Sequence, residues 1–342
     1  MKRYINKIYE EVKRFIKDNY FSIIFLICFA IFCFYDTGYS IYKPGGTINA
    51  TSRISGDNLY KSKGTFNMAY VGMVQGRLPF YLLAKVIPSW KLVKKDKLTI
   101  SDKENMNDVL KRDSLEYKEA LNNAMYVAFT KAEVPFEITS SSFYVKFKTD
   151  KNDSNLSVGD EIISFDDNRF KSFEDFSNYV KGKKEGDKIK IKYLDGKKEK
   201  ETYSTVYKED DRVYVGLSFI NIIDIKSDYN LKVENKSSES GPSGGLITAL
   251  AIYNALTKDD ITNGKKIVGT GIINLDGTVG EIGGIEYKLS SAVKKHADIF
   301  LCPKENYKSA LDYAKKLKYD IIIKDISSFD EAINYLKSQK GV

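Results

Sequence analysis

Ser240-Gly241-Pro242-Ser243-Gly244-Gly245 runs directly into Leu246-Ile247-Thr248-Ala249-Leu250-Ala251-Ile252. The first six residues read as a glycine-rich turn, and the apolar run as a helix from Gly244 to about Lys258. Such a turn can be no more than a helix N-cap. The same geometry also suits a reactive serine. Glycines let the backbone approach another molecule closely, and free N–H groups at a helix N-terminus can hold a developing oxyanion. The N–H of Ser243 is one candidate donor; Gly241 and Gly244 are alternatives for a second, since Pro242 has no N–H to give. Gly283-Gly284-Ile285-Glu286-Tyr287-Lys288, whose lysine lies forty-five positions after the serine, reads as a turn entering another helix near Ile285.

A serine hydroxyl is a weak nucleophile until a neighbouring base takes its proton. Histidine is the usual base, but the chain has one, His296, in Ala292-Val293-Lys294-Lys295-His296-Ala297. That setting reads as a solvated helix end. Lysine is left as the candidate, and it can serve only if its pKa falls from about 10.4 toward 7–8. Burial would lower it, and so would the positive end of a helix dipole. Lys288, expected near a helix start, sits where a lysine is locally disfavoured, as functional residues often do. Alone it would read as an ordinary exposed lysine.

Taken together, these segments resemble the Lon-type peptidases. Val268-Gly269-Thr270-Gly271-Ile272-Ile273 followed by Gly277-Thr278-Val279-Gly280-Glu281-Ile282-Gly283-Gly284 is similar to the family's strand, hairpin and lysine-helix progression. The resemblance implies Ser243 as nucleophile, Lys288 as general base and Thr270 as the hydroxyl that hydrogen-bonds the lysine. Ser240 stands where relatives often have Asp, and Gly244 where Ala is common. Ile272 stands where ATP-driven members often have Glu. No Gly-x-x-x-x-Gly-Lys-[Ser/Thr] motif occurs, so no P-loop is expected to cradle a triphosphate. The roughly 200 residues before the site are too few for a substrate domain plus an ATPase.

Asn19 to Tyr35 contains no charged residue. At ~1.5 Å per residue it just reaches across a bilayer core, for which ~17–25 residues are typical. The preceding tail holds six basic and three acidic residues, which by the positive-inside rule places it in the cytoplasm and the remainder outside. A cleaved signal peptide and a buried core helix are the competing readings, but Gly38-Tyr39-Ser40 is a poor cleavage site. Cys28 and Cys33 lie in the apolar run and Cys302 alone beyond it, so no disulfide is expected in the outer part. No His/Cys cluster points to a metal, and no cofactor is expected. Beyond residue 35 the net charge is +5, suited to an anionic surface. No aromatic-interleaved basic motif argues for nucleic acid.

Between the anchor and the serine region lie two different stretches. Phe66 to Val74 reads as a strand and Pro79 to Val86 as a helix. Asn105 to about Ala132 has a helical period, with Val109, Leu110, Leu121, Ala124, Met125 and Ala128 as candidate core. Leu156-Ser157-Val158-Gly159-Asp160-Glu161-Ile162-Ile163-Ser164-Phe165-Asp166 then resembles a bacterial PDZ segment, with Asp167 where the family has glycine. Ser172 to Val180 matches the PDZ helix and Lys188 to Tyr193 a late strand. PDZ domains add a peptide as a strand. At Ser140-Ser141-Ser142-Phe143 the chain departs from the family's glycine-bearing carboxylate loop, leaving C-termini and internal segments both open as ligands.

The whole order is similar to the membrane-anchored PDZ–Lon peptidases of Gram-positive bacteria, the YlbL-like group. The expected fold is a multidomain α/β (α+β) chain. Its parts are a basic tail (1–18), one transmembrane helix (19–36), a scaffold segment (37–132), a PDZ-like β-rich domain (133–206) and a Lon-type proteolytic domain (207–342). The resemblance implies an ATP-independent serine endopeptidase at the outer face of the cell membrane. Its expected partners are peptides or unfolded proteins and the bilayer itself, with a homo-oligomer left open. A catalytically inactive PDZ adaptor and a Ser–Lys enzyme of the signal-peptidase kind are the rival readings.

Overall fold

The computed structural model describes residues 2–95, 101, 104–170, 172–234 and 240–340, so the outermost residues of the expected domain ranges lie outside it. The described residues fall into two compact units, 2–43 with 72–95, and 44–71 with those from 101 onward.

The first unit begins with the helix Lys2–Phe34, whose regularity breaks at Asn19 (φ −119°, ψ 15°). There the Asn19 side-chain amide donates to the Phe15 carbonyl. The basic tail is therefore helical too, and the break falls where the apolar run begins. This helix is long and apolar enough to cross a membrane, by length and composition. After it, Tyr39–Tyr42 of the strand Asp36–Asn49 pairs antiparallel with Lys91–Lys94. The short helix Leu78–Val86 opens with a proline in its first turn, where the missing N–H costs nothing.

The second unit holds a parallel sheet and an antiparallel one. In the parallel sheet Ile322–Ile326 pairs with Ile299–Pro303, which pairs with Lys266–Gly269, which pairs with the start of Thr65–Arg77. Alternate residues face opposite sides. Ile267, Ile299 and Leu301 join one core with the helix Gly245–Leu256, while Val268, Phe300 and Cys302 join another with the helix Ile285–Lys294. A parallel sheet covered on both faces explains these nearly unbroken apolar strands. The helix Gly245–Leu256 is buried at every residue from Gly245 to Asn254, which accounts for its lack of a polar face.

The expected scaffold segment is divided between the two units. Thr65–Met68 is hydrogen-bonded to Lys266–Gly269, some 200 residues away. The helix Met106–Lys131, capped by Asn105 and Asp108 in a reciprocal box, contributes Ala124, Val127 and Ala128 to the core around Gly245–Leu256. Val109 is buried as expected, but Leu110 is 53% exposed because the buried stripe runs through Arg112 instead.

The PDZ-like domain is a five-stranded sheet in the order Leu217–Lys226, Glu137–Lys148, Glu161–Phe165, Lys188–Asp195, Lys198–Thr205. Its first strand lies beyond residue 206, so the fold reaches past the expected limit. The helix Phe173–Lys181 closes the core through Phe176 and Val180. Asp166 and Asp167 both have positive φ (46° and 62°). Aspartate tolerates the left-handed region better than most residues, and here Asp167 makes the turn that the family makes with glycine.

Candidate active site

Lys266–Gly269 ends in Thr270-Gly271, and the serine turn and lysine helix meet at this carboxyl end. The chain arrives from a helix on one face of the sheet and departs to a helix on the other, the arrangement that leaves a crevice at strand ends in α/β sheets. The Ser243 carbonyl accepts from the Gly271 N–H (2.8 Å) and from the Thr270 hydroxyl (3.0 Å). This pair ties the serine turn to the strand end. Lys288 Nζ in turn donates to Thr270 Oγ1 at 3.0 Å. Thr270 thus links lysine and serine, spending its proton on one and a lone pair on the other. Among the described residues the Ser243 hydroxyl has no hydrogen-bond partner, Lys288 included.

Lys288 is only 3% exposed, and burial pulls its ammonium down from 10.5 to about 7. It lies in the first turns of the helix Ile285–Lys294, whose N-cap Gly284 is left-handed at φ 70°. A Cβ there would meet Val71 Cγ2 at 2.8 Å, so the turn that aims the lysine requires glycine. His296 is exposed, just past the end of this helix.

The two alternatives for a second oxyanion donor separate. The Gly241 N–H donates to the Asp113 carbonyl at 3.0 Å and is spent. Among the described residues the N–H groups of Ser243 and Gly244 have no partner, and both precede the helix Gly245–Leu256. A Cβ on Gly244 would come within 2.7 Å of Met68 Sδ. The thioether fills the space that a methyl group at this position would need. Met68 and Asp113 were not foreseen, because each reaches the site from a segment far away in sequence. Among the described residues no group of three or more His, Cys, Asp or Glu could hold a metal.

In the PDZ-like domain Ser140–Phe143 is the interior of a strand, paired with Asn221–Asp224, and not a loop. A glycine with positive φ lies elsewhere, at Gly216 (φ 69°), which with Val215 leads into the strand Leu217–Lys226. It borders a cleft of about 810 Å³ against the helix Phe173–Lys181. The signal for it was present in the sequence, but at the end of the domain.

A serine turn and a buried lysine meet at the end of a doubly covered parallel strand, a setting that would suit a hydrolase-type domain. Its particular kind follows from known proteins. The family model of the Lon protease (S16) C-terminal proteolytic domain matches residues 229–338, and that of the PDZ domain matches residues 124–206. The chain therefore carries a proteolytic domain of the Lon serine-peptidase type and a PDZ domain. The Lon protease of Neorickettsia sennetsu is 31% identical over 107 residues, covering 31% of this chain and 13% of that protein. That of Dictyoglomus thermophilum is 33% identical over 111 residues, covering 32% and 14%. The chain spans about one-seventh of the length of these curated relatives. The PDZ domain of an SdrC-like protein from Listeria monocytogenes is 28% identical, with a TM-score of 0.22, covering 25% of this chain and 93% of that one.

Proposed function

We propose that the chain is a membrane-anchored, ATP-independent serine endopeptidase of the PDZ–Lon kind, acting outside the cytoplasm through a Ser243–Lys288 dyad. The observation that carries this reading is the buried Lys288 amine with its pKa near 7, held by Thr270 at the serine turn. A neutral amine donates one N–H to Thr270 and keeps its lone pair for the serine proton. Ser243 Oγ attacks the peptide carbonyl as its proton passes to Lys288 Nζ. The carbonyl oxygen, now negative, is met by the N–H groups of Ser243 and Gly244. Collapse of the tetrahedral adduct breaks the C–N bond, and Lys288 returns the proton to the leaving amine. Water, deprotonated by Lys288, then hydrolyses the acyl-serine.

This chain's sequence holds no nucleotide-binding loop, so short, extended or already unfolded substrates suit it best. The cleft beside Leu217–Lys226 supports strand addition of such a segment. The basic tail before the apolar helix supports a cytoplasmic N-terminus.

Cleavage of unfolded casein and of a peptide library tests the proposal, with Ser243→Ala and Lys288→Arg measured beside wild type from pH 6 to 10. Cleavage by wild type alone supports the dyad. Equal cleavage by all three sinks it, and silence from all three favours a binding adaptor.

A further inference from the structure

We propose that the helix Leu78–Val86 is a second membrane contact, lying in the outer interface against anionic lipid headgroups. This rests on reading the apolar N-terminal helix as a membrane span. Leu78-Pro79-Phe80-Tyr81-Leu82-Leu83-Ala84-Lys85-Val86 buries only Ala84. Phe80, Leu82 and Leu83 are 42–46% exposed and Val86 is 78% exposed. So many large apolar groups on nine residues are out of place in water. At ~1.5 Å per residue the helix is about 13 Å long, far short of the ~30 Å needed to span. It can lie in the interface but cannot cross it.

Three observations select a lipid surface as its cover. The helix is tied to the end of the apolar N-terminal helix, since the Leu78 N–H donates to the Tyr35 carbonyl at 3.0 Å. Arg77 lies over the Phe34 ring, 5.1 Å from its centroid. The apolar surface is thus continuous with the expected span. Second, the charges complement anionic headgroups. Residues 36–43 and 72–95 hold Lys43, Arg77, Lys85, Lys91, Lys94 and Lys95 against a single carboxylate, Asp36. Third, aromatic and basic groups are paired as they are at headgroup depth. Lys85 Nζ sits 4.8 Å from the Tyr81 ring centroid and Lys43 Nζ 5.2 Å from that of Trp90. Tyr and Trp favour this level, and lysine stems reach from it toward water.

Trp90 is the only tryptophan in the chain, so its fluorescence reports this unit alone. The full chain would be reconstituted into phosphatidylcholine–phosphatidylglycerol vesicles containing lipids brominated near the glycerol end of the acyl chain. A second probe, bimane on Cys28 in a background with Cys33→Ser and Cys302→Ala, reports the span separately. The expected result is loss of Trp90 fluorescence to the shallow bromines and of Cys28 bimane fluorescence to deep ones. Leu82→Asp with Val86→Asp abolishes the first loss and leaves the second. If Cys28 is quenched while Trp90 stays open to aqueous iodide, the interfacial helix is overturned and the span stands. If Trp90 is shielded from bromine and iodide alike, and loses that shielding on dilution in lipid, a second copy covers the helix and the proposal is wrong. If neither probe meets bromine, the span itself fails and the proposal falls with it.

Discussion

Two buried polar clusters in this molecule follow opposite rules. In the PDZ-like domain Asn152 is 3% exposed and fully partnered. Its amide donates to Ser204 Oγ (2.9 Å) and the Val215 carbonyl (2.7 Å), and its oxygen accepts from the Ser154 N–H (3.1 Å) and hydroxyl (2.6 Å). Lys288 is equally buried, yet among the described residues its amine has one partner, Thr270. A neutral amide with every bond made holds a fold together. A cation stripped of water and barely partnered weakens a fold and gains reactivity. Burial alone does not separate structure from function; the number of bonds left over does.

The largest contrast is in turnover. Ser243→Ala or Lys288→Arg is expected to lower peptide cleavage by roughly 10⁴-fold or more. Asn152→Ala should leave cleavage of a short peptide within about threefold, since it touches no reacting atom. Comparable losses in both would break the distinction.

Stability should reverse the order. Asn152→Ala strands several buried polar groups and is expected to cost about 2–4 kcal/mol in denaturant titration. Lys288→Met should do the opposite. The amine titrates at 10.5 when unfolded and about 7 when folded. Between those values the unfolded chain binds the extra proton, so stability rises with pH from 7 to 10.5 and is lowest below 7. At pH 7 the substitution is therefore expected to stabilise by a few kcal/mol, at about 1.4 kcal/mol per pKa unit. A destabilised Lys288→Met protein at that pH would sink the argument. The rising limb of the rate profile should likewise lie near pH 7.

Thr270→Val removes the bond from the Lys288 amine to the Thr270 hydroxyl, and with it a bond to the Ser243 carbonyl. A fall in kcat of about 10–100-fold is expected, with the pH profile displaced, and Thr270→Ser should restore both. The smallest effect concerns Glu119, whose carboxyl is pushed up to about 7 mainly by burial. Its raised value favours the protonated native form, so its contribution to stability is lost as pH rises from 4.5 through 7. Glu119→Gln should flatten that part of the stability profile and leave turnover unchanged.

Much of the candidate site was legible because its signals are local. The Ser243 turn, the Gly284-bearing turn before Lys288 and Thr270 at a strand end are each read from a few neighbouring residues. Pairing of distant strands is not. Nothing around Thr65–Met68 announces that it lies beside Lys266–Gly269, so residues 37–132 looked like a scaffold. The exhausted N–H of Gly241 was hidden for the same reason, since its acceptor is the carbonyl of Asp113. A glycine-bearing loop was sought before the PDZ motif, whereas Gly216, which borders the cleft, comes after it. Leu110 was misassigned because a helical period admits more than one stripe, and the partner surface chooses between them.

The pairing of Glu137 with Lys226 means that the chain leaves the proteolytic fold and returns to it about one strand spacing away, near 5 Å. The PDZ-like domain is thus a cassette spliced into a surface position, with its two ends already stapled together. Joining residues near 136 and 227 by a short glycine linker would remove it without forcing the remaining chain to bridge a gap. The inserted domain and the fold that holds Ser243 and Lys288 can then diverge separately, one cassette being exchanged for another while the serine turn and lysine helix stay as they are.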